Sequence, residues 1–347
     1  MKSPAPAYRL SHVRQYYGDT KVLDIDELEI RAGSITGLIG PNGSGKTTLL
    51  KLLAFADSPG SGVIMYKGRR AEPFSPLIRS KVTLLTQKPY LLRRSVFDNI
   101  AYGLKIRRDT ENLETRIKKA LAAVGLSYQE FARRRSHELS GGEAQRVALA
   151  ARLVLEPEVL LLDEPVASVD LKSAQLIRQA ALAARKTWGT TLVIASHDLA
   201  WLASICDTRI SIFKGRIFAT GMENIITGPF EPKECGIAEK ILNDGQSIRL
   251  ESPADAEDVS FAVIGTGHMK IATDIDGPHT GSGPSNRLHG HVVSMLLERK
   301  TGYITAGVAV SELSFVVRLS PEKIHDLNLY PGKNIILEFS PGHAAWF

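Results

Sequence analysis

Two short segments carry residue types spaced for phosphate chemistry. Gly40-Pro41-Asn42-Gly43-Ser44-Gly45-Lys46-Thr47 fits G-x-x-x-x-G-K-[ST], and it lies between the apolar run Ile35 to Ile39 and an amphipathic stretch beginning near Thr47. Its glycines let backbone N–H groups turn toward phosphate oxygens, a helix start adds partial positive charge, and Lys46 can reach the β- and γ-phosphates. Thr47 is expected to offer its hydroxyl to Mg²⁺, and Thr48 is counted in the same cradle. The second segment is Val159-Leu160-Leu161-Leu162-Asp163-Glu164-Pro165. Four apolar residues predict a central strand, with Asp163 at its end to hold Mg²⁺ and Glu164 to activate an attacking water. Neighbouring side chains on a strand point to opposite faces, so both acids reach one site only if the chain leaves regular geometry there, as Pro165 suggests.

A third segment offers an anion-binding helix start. Ser140-Gly141-Gly142-Glu143 is an S-x-x-E capping box whose two glycines expose N–H groups at the head of a helix running toward Pro157.

The elements that must position these residues are legible in outline. Ile35 to Ile39, Val82 to Leu85, Val159 to Leu162 and Leu192 to Ile194 read as buried strands alternating with helical patterns, which predicts an α/β sheet covered on both faces. Leu113, Ile117, Leu121 and Val124 fall on one helical stripe, with Gly125 placed to end it. After residue 245 the texture changes. Residues 273–285 are polar and rich in Gly and Pro, and strand-like runs follow at Val292 to Leu296, Tyr303 to Val310, Phe315 to Leu319 and Ile335 to Phe339, with Ser320-Pro321 opening a short helix. The expected organisation is an α/β unit over 1–245, bridging strands and linker over 246–283, and a small β-barrel domain over 284–347; whether 246–272 bridges or joins the barrel stays open.

Charge follows the same division, at net +9 up to residue 245 and net −3 beyond it. The excess is concentrated in Lys105, Arg107, Arg108, Arg116, Lys118, Lys119 and Arg133 to Arg135, read as a solvated helical face or as a surface near acidic headgroups or a partner. No aromatic residues are interleaved with it as a stacking platform would require, so nucleic acid is not an expected partner. Cys206 and Cys235 are read as inert thiols, and the histidines after residue 245, including His289 and His291, as ordinary barrel residues rather than metal ligands. No apolar run approaches the roughly 18 residues of a spanning helix, and the start lacks a hydrophobic signal core, so a cytoplasmic protein is expected.

Leu139-Ser140-Gly141-Gly142-Glu143 followed by Ala144-Gln145-Arg146 resembles the signature motif of ABC-type ATPases. The resemblance implies a fold: a P-loop ABC cassette with a helical subdomain, followed by a small OB/TOBE/Mop-like β-barrel. It implies an ATPase using ATP and Mg²⁺, active as a head-to-tail homodimer in which Ser140, Gly141 and Gly142 hold the γ-phosphate of ATP bound to the other subunit. Other positions match too. Tyr17 matches the aromatic that stacks on adenine, with Tyr16 as the alternative; Gln87 matches the residue that senses Mg²⁺ and the attacking water; His197 matches the switch histidine near the γ-phosphate; Asp170 matches the D-loop aspartate. Catalysis is thereby assigned to Glu164, His197 and Gln87, and the metal to Thr47, Gln87 and Asp163.

Asn286-Arg287-Leu288-His289-Gly290-His291-Val292 together with Leu327 to Lys333 resembles the barrel modules that follow importer ATPases, the molybdate/tungstate-binding type above all; Leu52 to Phe55 and Leu84 to Phe97 look like tungstate-importer ATPases. The implied protein is peripheral, at the cytoplasmic face of the membrane. It would drive a permease through Lys88 to Arg94, with a periplasmic or extracellular solute-binding protein upstream and oxyanion uptake as the result. Arg287, Ser320 and Lys333 are the first candidates for an oxyanion held by the barrel. Sugar, polyamine or iron import is the alternative, and a non-transport ABC ATPase a remote one.

Overall fold

The structure, a computed structural model, describes residues 6–167, 169–218, 223–252, 261–273, 286–298 and 301–346. The expected linker lies outside the described residues from position 274 onward, as does Ser168. Contacts divide the chain into two units, 1–220 and 221–347.

In the first unit, a six-stranded sheet has the order Arg216–Phe218, Thr208–Phe213, Ile35–Ile39, Thr191–Ala195, Val159–Asp163, Val82–Leu85, parallel except for the first edge strand. All four strands expected from the sequence are present. The apolar runs are continuous because both faces are covered. Leu160, Leu162 and Ile194 enter one core with helices Val96–Ile106, Leu113–Ala123 and Gly141–Leu153. Val159, Leu161 and Val193 enter the other, beneath an antiparallel sheet built from Thr20–Ile30, Tyr8–Tyr17, Ser61–Tyr66 and Arg69–Arg70. The predicted stripe is buried at Ile117, Leu121 and Val124, and Gly125 follows with φ +68°.

Glu158 joins the two sheets just before the strand that carries Asp163. It accepts hydrogen bonds from the Tyr66 hydroxyl and the Lys67 ammonium, and Lys81 lies 3.0 Å away. Partial burial alone would raise its pKa; the bonds from Lys67, Tyr66 and Lys81 outweigh that and hold it at about 2. A folded pKa below the unfolded one contributes stability above the unfolded value, here 4.5, that is lost as pH falls toward 2. The gap in urea midpoint between wild type and Glu158→Gln should therefore be widest above pH 4.5 and close toward pH 2; a gap independent of pH would contradict this linkage.

The second unit holds three antiparallel sheets around one core, and it fits an OB/TOBE-like module. Its five-stranded sheet runs Lys270–Ala272, Asn334–Phe339, Asn286–Leu297, Ile304–Val310, Leu313–Leu319. The predicted barrel strands are all here, and the short helix is Pro321–Asp326, capped by Ser320. The boundary expected at 245 is corrected to 220. Ile226, Leu242 and Ile248 belong to the C-terminal core, and residues 246–272 join the barrel unit through Ser247–Glu251, Phe261–Gly265 and Lys270–Ala272.

Three side-chain amides sew these early strands to the later ones, each bonding both the N–H and the C=O of one distant residue. Asn224 takes Val316, Gln246 takes His289, and Asn286 takes Arg249. The last pair measures 2.7 and 2.8 Å. Asn286→Leu would leave both Arg249 groups unpaired, at a cost of about 2–4 kcal/mol to this unit. Calorimetric melting checks it, and an unchanged transition would refute the role.

Candidate nucleotide-binding and hydrolysis site

A parallel sheet brings the carboxyl ends of its strands to one edge. Here four neighbouring strands are followed, within two residues of their ends, by Gly40, His197, Glu164 and Gln87, in that spatial order. The phosphate loop follows Ile35–Ile39 and leads into helix Lys46–Leu53. Two of its glycines have no room for a side chain: a Cβ on Gly40 would stand 2.0 Å from Ile212 O, and one on Gly45, at φ +104°, would stand 2.9 Å from Val22 O. Lys46 is buried and donates to Gly40 O at 2.6 Å and Pro41 O at 2.9 Å. Burial lowers its pKa, while the nearby Glu164 and Asp163 act against that shift. The Ser44 hydroxyl is buried inside the loop without a partner.

The two acids take different positions, as the sequence required. Asp163 ends its strand buried and accepts the Thr47 hydroxyl at 2.7 Å; desolvation raises its pKa against that hydrogen bond. Glu164 leaves the strand with φ +47°, a left-handed backbone unusual for a residue other than glycine, and its N–H is held by Ala195 O at 2.8 Å. The turn brings the Glu164 carboxylate to His197, with Oε2 2.8 Å from Nδ1. Its Oε1 is buried with no hydrogen-bond partner among the described residues.

Thr47 and Asp163 supply adjacent hard oxygens that suit Mg²⁺, an ion that binds through few protein groups plus water and phosphate. No group of three or more His, Cys, Asp or Glu that could hold a metal ion occurs among the described residues. Gln87 is exposed beyond Val82–Leu85.

The capping box forms in both directions: Ser140 N–H donates to Glu143 Oε2 at 2.8 Å, and Glu143 N–H to Ser140 Oγ at 3.3 Å. Asp170 caps helix Leu171–Trp188 through Ser173, and a Cβ on Gly142 would come within 3.4 Å of Asp170 Oδ2. Gly142 thus packs on Asp170 of its own chain, and no hydrogen bond or ion pair among the described residues joins Ser140 to Gly142 with the phosphate loop.

Residues 23–167 match the ABC transporter family. The chain is 37% identical over 209 residues to the tungstate uptake system ATP-binding protein TupC of Peptoclostridium acidaminophilum, covering 60% of this chain and 95% of that relative. The chain belongs to the ATP-binding proteins of ABC transporters. It is also 35% identical over 222 residues to the spermidine/putrescine import ATP-binding protein PotA of Bacteroides thetaiotaomicron, covering 64% of this chain but only 48% of that relative, about half its length. Among solved structures, the dimeric structure of MJ0796, a bacterial ABC transporter cassette, matches with 25% identity and a TM-score of 0.58 over 62% of this chain and 97% of that one. This ABC protein is an ATPase.

The C-terminal candidates look different. Arg287 pairs with Glu338 at 3.0 Å across the two strands that carry them. Lys333 donates to Leu327 O and Asn328 O, and Ser320 caps its helix. Each therefore has an intramolecular role. His289 and His291 are exposed. The basic cluster of this ABC ATPase is partly neutralised: Lys105 meets Asp98, Arg116 meets Asp109, and Arg134 lies over the Phe131 ring. The Cys206 thiol is pushed up to about 12 by burial, in keeping with an inert role, and the Cys235 side chain lies outside the description. Sequence reasoning missed the groove of about 260 Å³ lined by Ala54, Arg79, Thr83, Tyr102, Arg107 and Arg152, among others. Its residues are scattered along the chain, and no local pattern marks them.

Proposed function

We propose that this ABC ATPase powers an importer for an oxyanion, tungstate or molybdate, working as a pair of copies on a separate permease at the cytoplasmic face of the membrane. The observation that carries the substrate is the likeness to the tungstate uptake ATP-binding protein over nearly that relative's full length. No described helix is long and apolar enough to cross a membrane, and the proposed movement of solute is assigned to a separate permease. Two features supply a surface for it. Lys88, Tyr90, Arg93 and Arg94 are exposed, and the nearby groove exposes guanidinium groups and the Tyr102 ring.

In the proposed cycle, two copies meet head to tail, and the Ser140 cap of each completes the phosphate site of the other. Thr47 and Asp163 would hold Mg²⁺ through their side-chain oxygens, with Gln87 as the expected further ligand. Glu164 takes the proton of the attacking water, while His197 orients the Glu164 carboxylate. The ion polarises the phosphate when bound; the protein orients the water and accepts its proton. Tyr17 carries the adenine. With Arg287, Ser320 and Lys333 committed elsewhere, the barrel serves as a scaffold, and substrate choice rests on the permease and its solute-binding protein.

Disrupting the chain in its host and measuring accumulation of tungstate, molybdate, sulfate and spermidine tests the reading. Loss confined to tungstate and molybdate is expected. Loss of spermidine uptake with normal oxyanion uptake would move the protein to the polyamine importers, which its likeness to the spermidine/putrescine ATPase makes the second reading.

A further inference from the structure

The helix that cradles phosphate continues into a segment that reaches the expected adenine platform. After Lys46–Leu53 the chain turns, with Phe55 at φ +54° and Ala56 N–H bonded back to Lys51 O at 3.1 Å. Segment 57–60 then meets the end of strand Tyr8–Tyr17 at three points. Gly60 N–H donates to the buried Gln15 Oε1 at 2.8 Å. The Tyr16 ring lies against Gly60, where a Cβ would come 3.2 Å from Cδ2. The Tyr17 hydroxyl donates to Asp57 Oδ2 at 3.4 Å, and the other oxygen of that carboxylate accepts Ser58 N–H at 2.8 Å, which fixes the acid. Tyr17 is 46% exposed, so its ring keeps open surface while its hydroxyl is tethered.

We propose that Asp57 is a positioning residue for ATP: through the Tyr17 hydroxyl it sets the plane on which adenine stacks, and it ties that plane to the helix holding the phosphates. The proposal rests on reading Tyr17 as the base-stacking residue. An untethered ring at an exposed strand end samples several rotamers, and binding must then fix one of them. The bond is long and partly solvated, so its loss should weaken ATP binding only about two- to fivefold. The effect should fall on the base and not on the phosphates, because the hydrogen bonds of Asp57 among the described residues go to Tyr17 and Ser58 and to no residue of the phosphate loop.

Calorimetry on the full chain with ATP and with inorganic tripolyphosphate, beside steady-state hydrolysis, separates these contributions. Asp57→Ala should raise Kd and KM for ATP about two- to fivefold, with kcat and tripolyphosphate affinity unchanged. Asp57→Asn keeps a carbonyl acceptor and should restore most of the loss. Tyr17→Phe should reproduce the loss, and adding Asp57→Ala to it should change nothing more. Equal weakening of tripolyphosphate, or additive effects of Asp57→Ala and Tyr17→Phe, would overturn the proposal. Tyr17→Ala distinguishes the two levels: unchanged ATP affinity there refutes stacking on Tyr17 itself, whereas weakened affinity there with wild-type affinity in Asp57→Ala refutes only the positioning role.

Discussion

Glu164→Gln should bind ATP as wild type does and hydrolyse it about 10²–10⁴-fold more slowly. The substitution keeps the shape of the side chain. It also leaves the N–H bond to Ala195 O and the contacts of Lys46, Thr47 and Asp163 untouched. What it removes is the carboxylate as proton acceptor, on a side chain whose Oε1 no protein group occupies. Neutral glutamine holds no base, so attack by water loses its proton acceptor while ground-state phosphate contacts persist. Phosphate release and ATP calorimetry on the same preparation give both numbers. Turnover close to wild type would remove Glu164 from its role and return attention to His197, its 2.8 Å neighbour.

Lys46→Ala should act on binding. Wild-type Lys46 is buried beneath a loop whose Gly40 O and Pro41 O accept from it, with burial pulling its pKa down and the two acids acting against that pull. Those carbonyls aim its ammonium along the loop where phosphate oxygens would bind. A charge-assisted bond to phosphate contributes about 1.5–3 kcal/mol, so the alanine variant should lose roughly 10- to 100-fold in ATP affinity. Titration with ATP, and with ADP for comparison, checks this, and an unchanged ATP affinity would contradict the phosphate-loop assignment. The contrast between the two variants is informative by itself, because one is expected to spare binding and the other to remove it.

Much of this site is legible in the amino-acid sequence. The phosphate loop, the acid pair and the capping box are contiguous segments whose chemistry is local, and Pro165 already signalled the departure from strand geometry that appears as φ +47° at Glu164. Their assembly was less legible. The sheet order places the His197 strand between those of Gly40 and Glu164, although His197 comes last in sequence, and strand pairing between distant segments decides that order. The domain boundary was misplaced for a related reason. Charge and texture change near residue 245, but Ile226 and Leu242 pack with the later barrel strands, and burial rather than surface composition fixes where a unit ends. Arg287 and Lys333 looked like free cations because the sequence does not reveal that Glu338 stands opposite Arg287 in register, or that a helix end presents its carbonyls to Lys333. The role of Asp57 had no signal at all, being a loop acid like any other until Tyr17 folds onto it.

The central claim is that ATP turnover belongs to two copies together, the phosphate loop of one facing the Ser140 cap of the other. Ser140→Arg alone should block the cap while sparing ATP binding, and Lys46→Ala alone should empty the loop. In a verified heterodimer of the two variants, both defects fall at one shared site and the second site is wild type throughout. Phosphate release by that heterodimer is the measurement to make. The account predicts turnover well above either parent homodimer, and turnover no higher than the parents would contradict it.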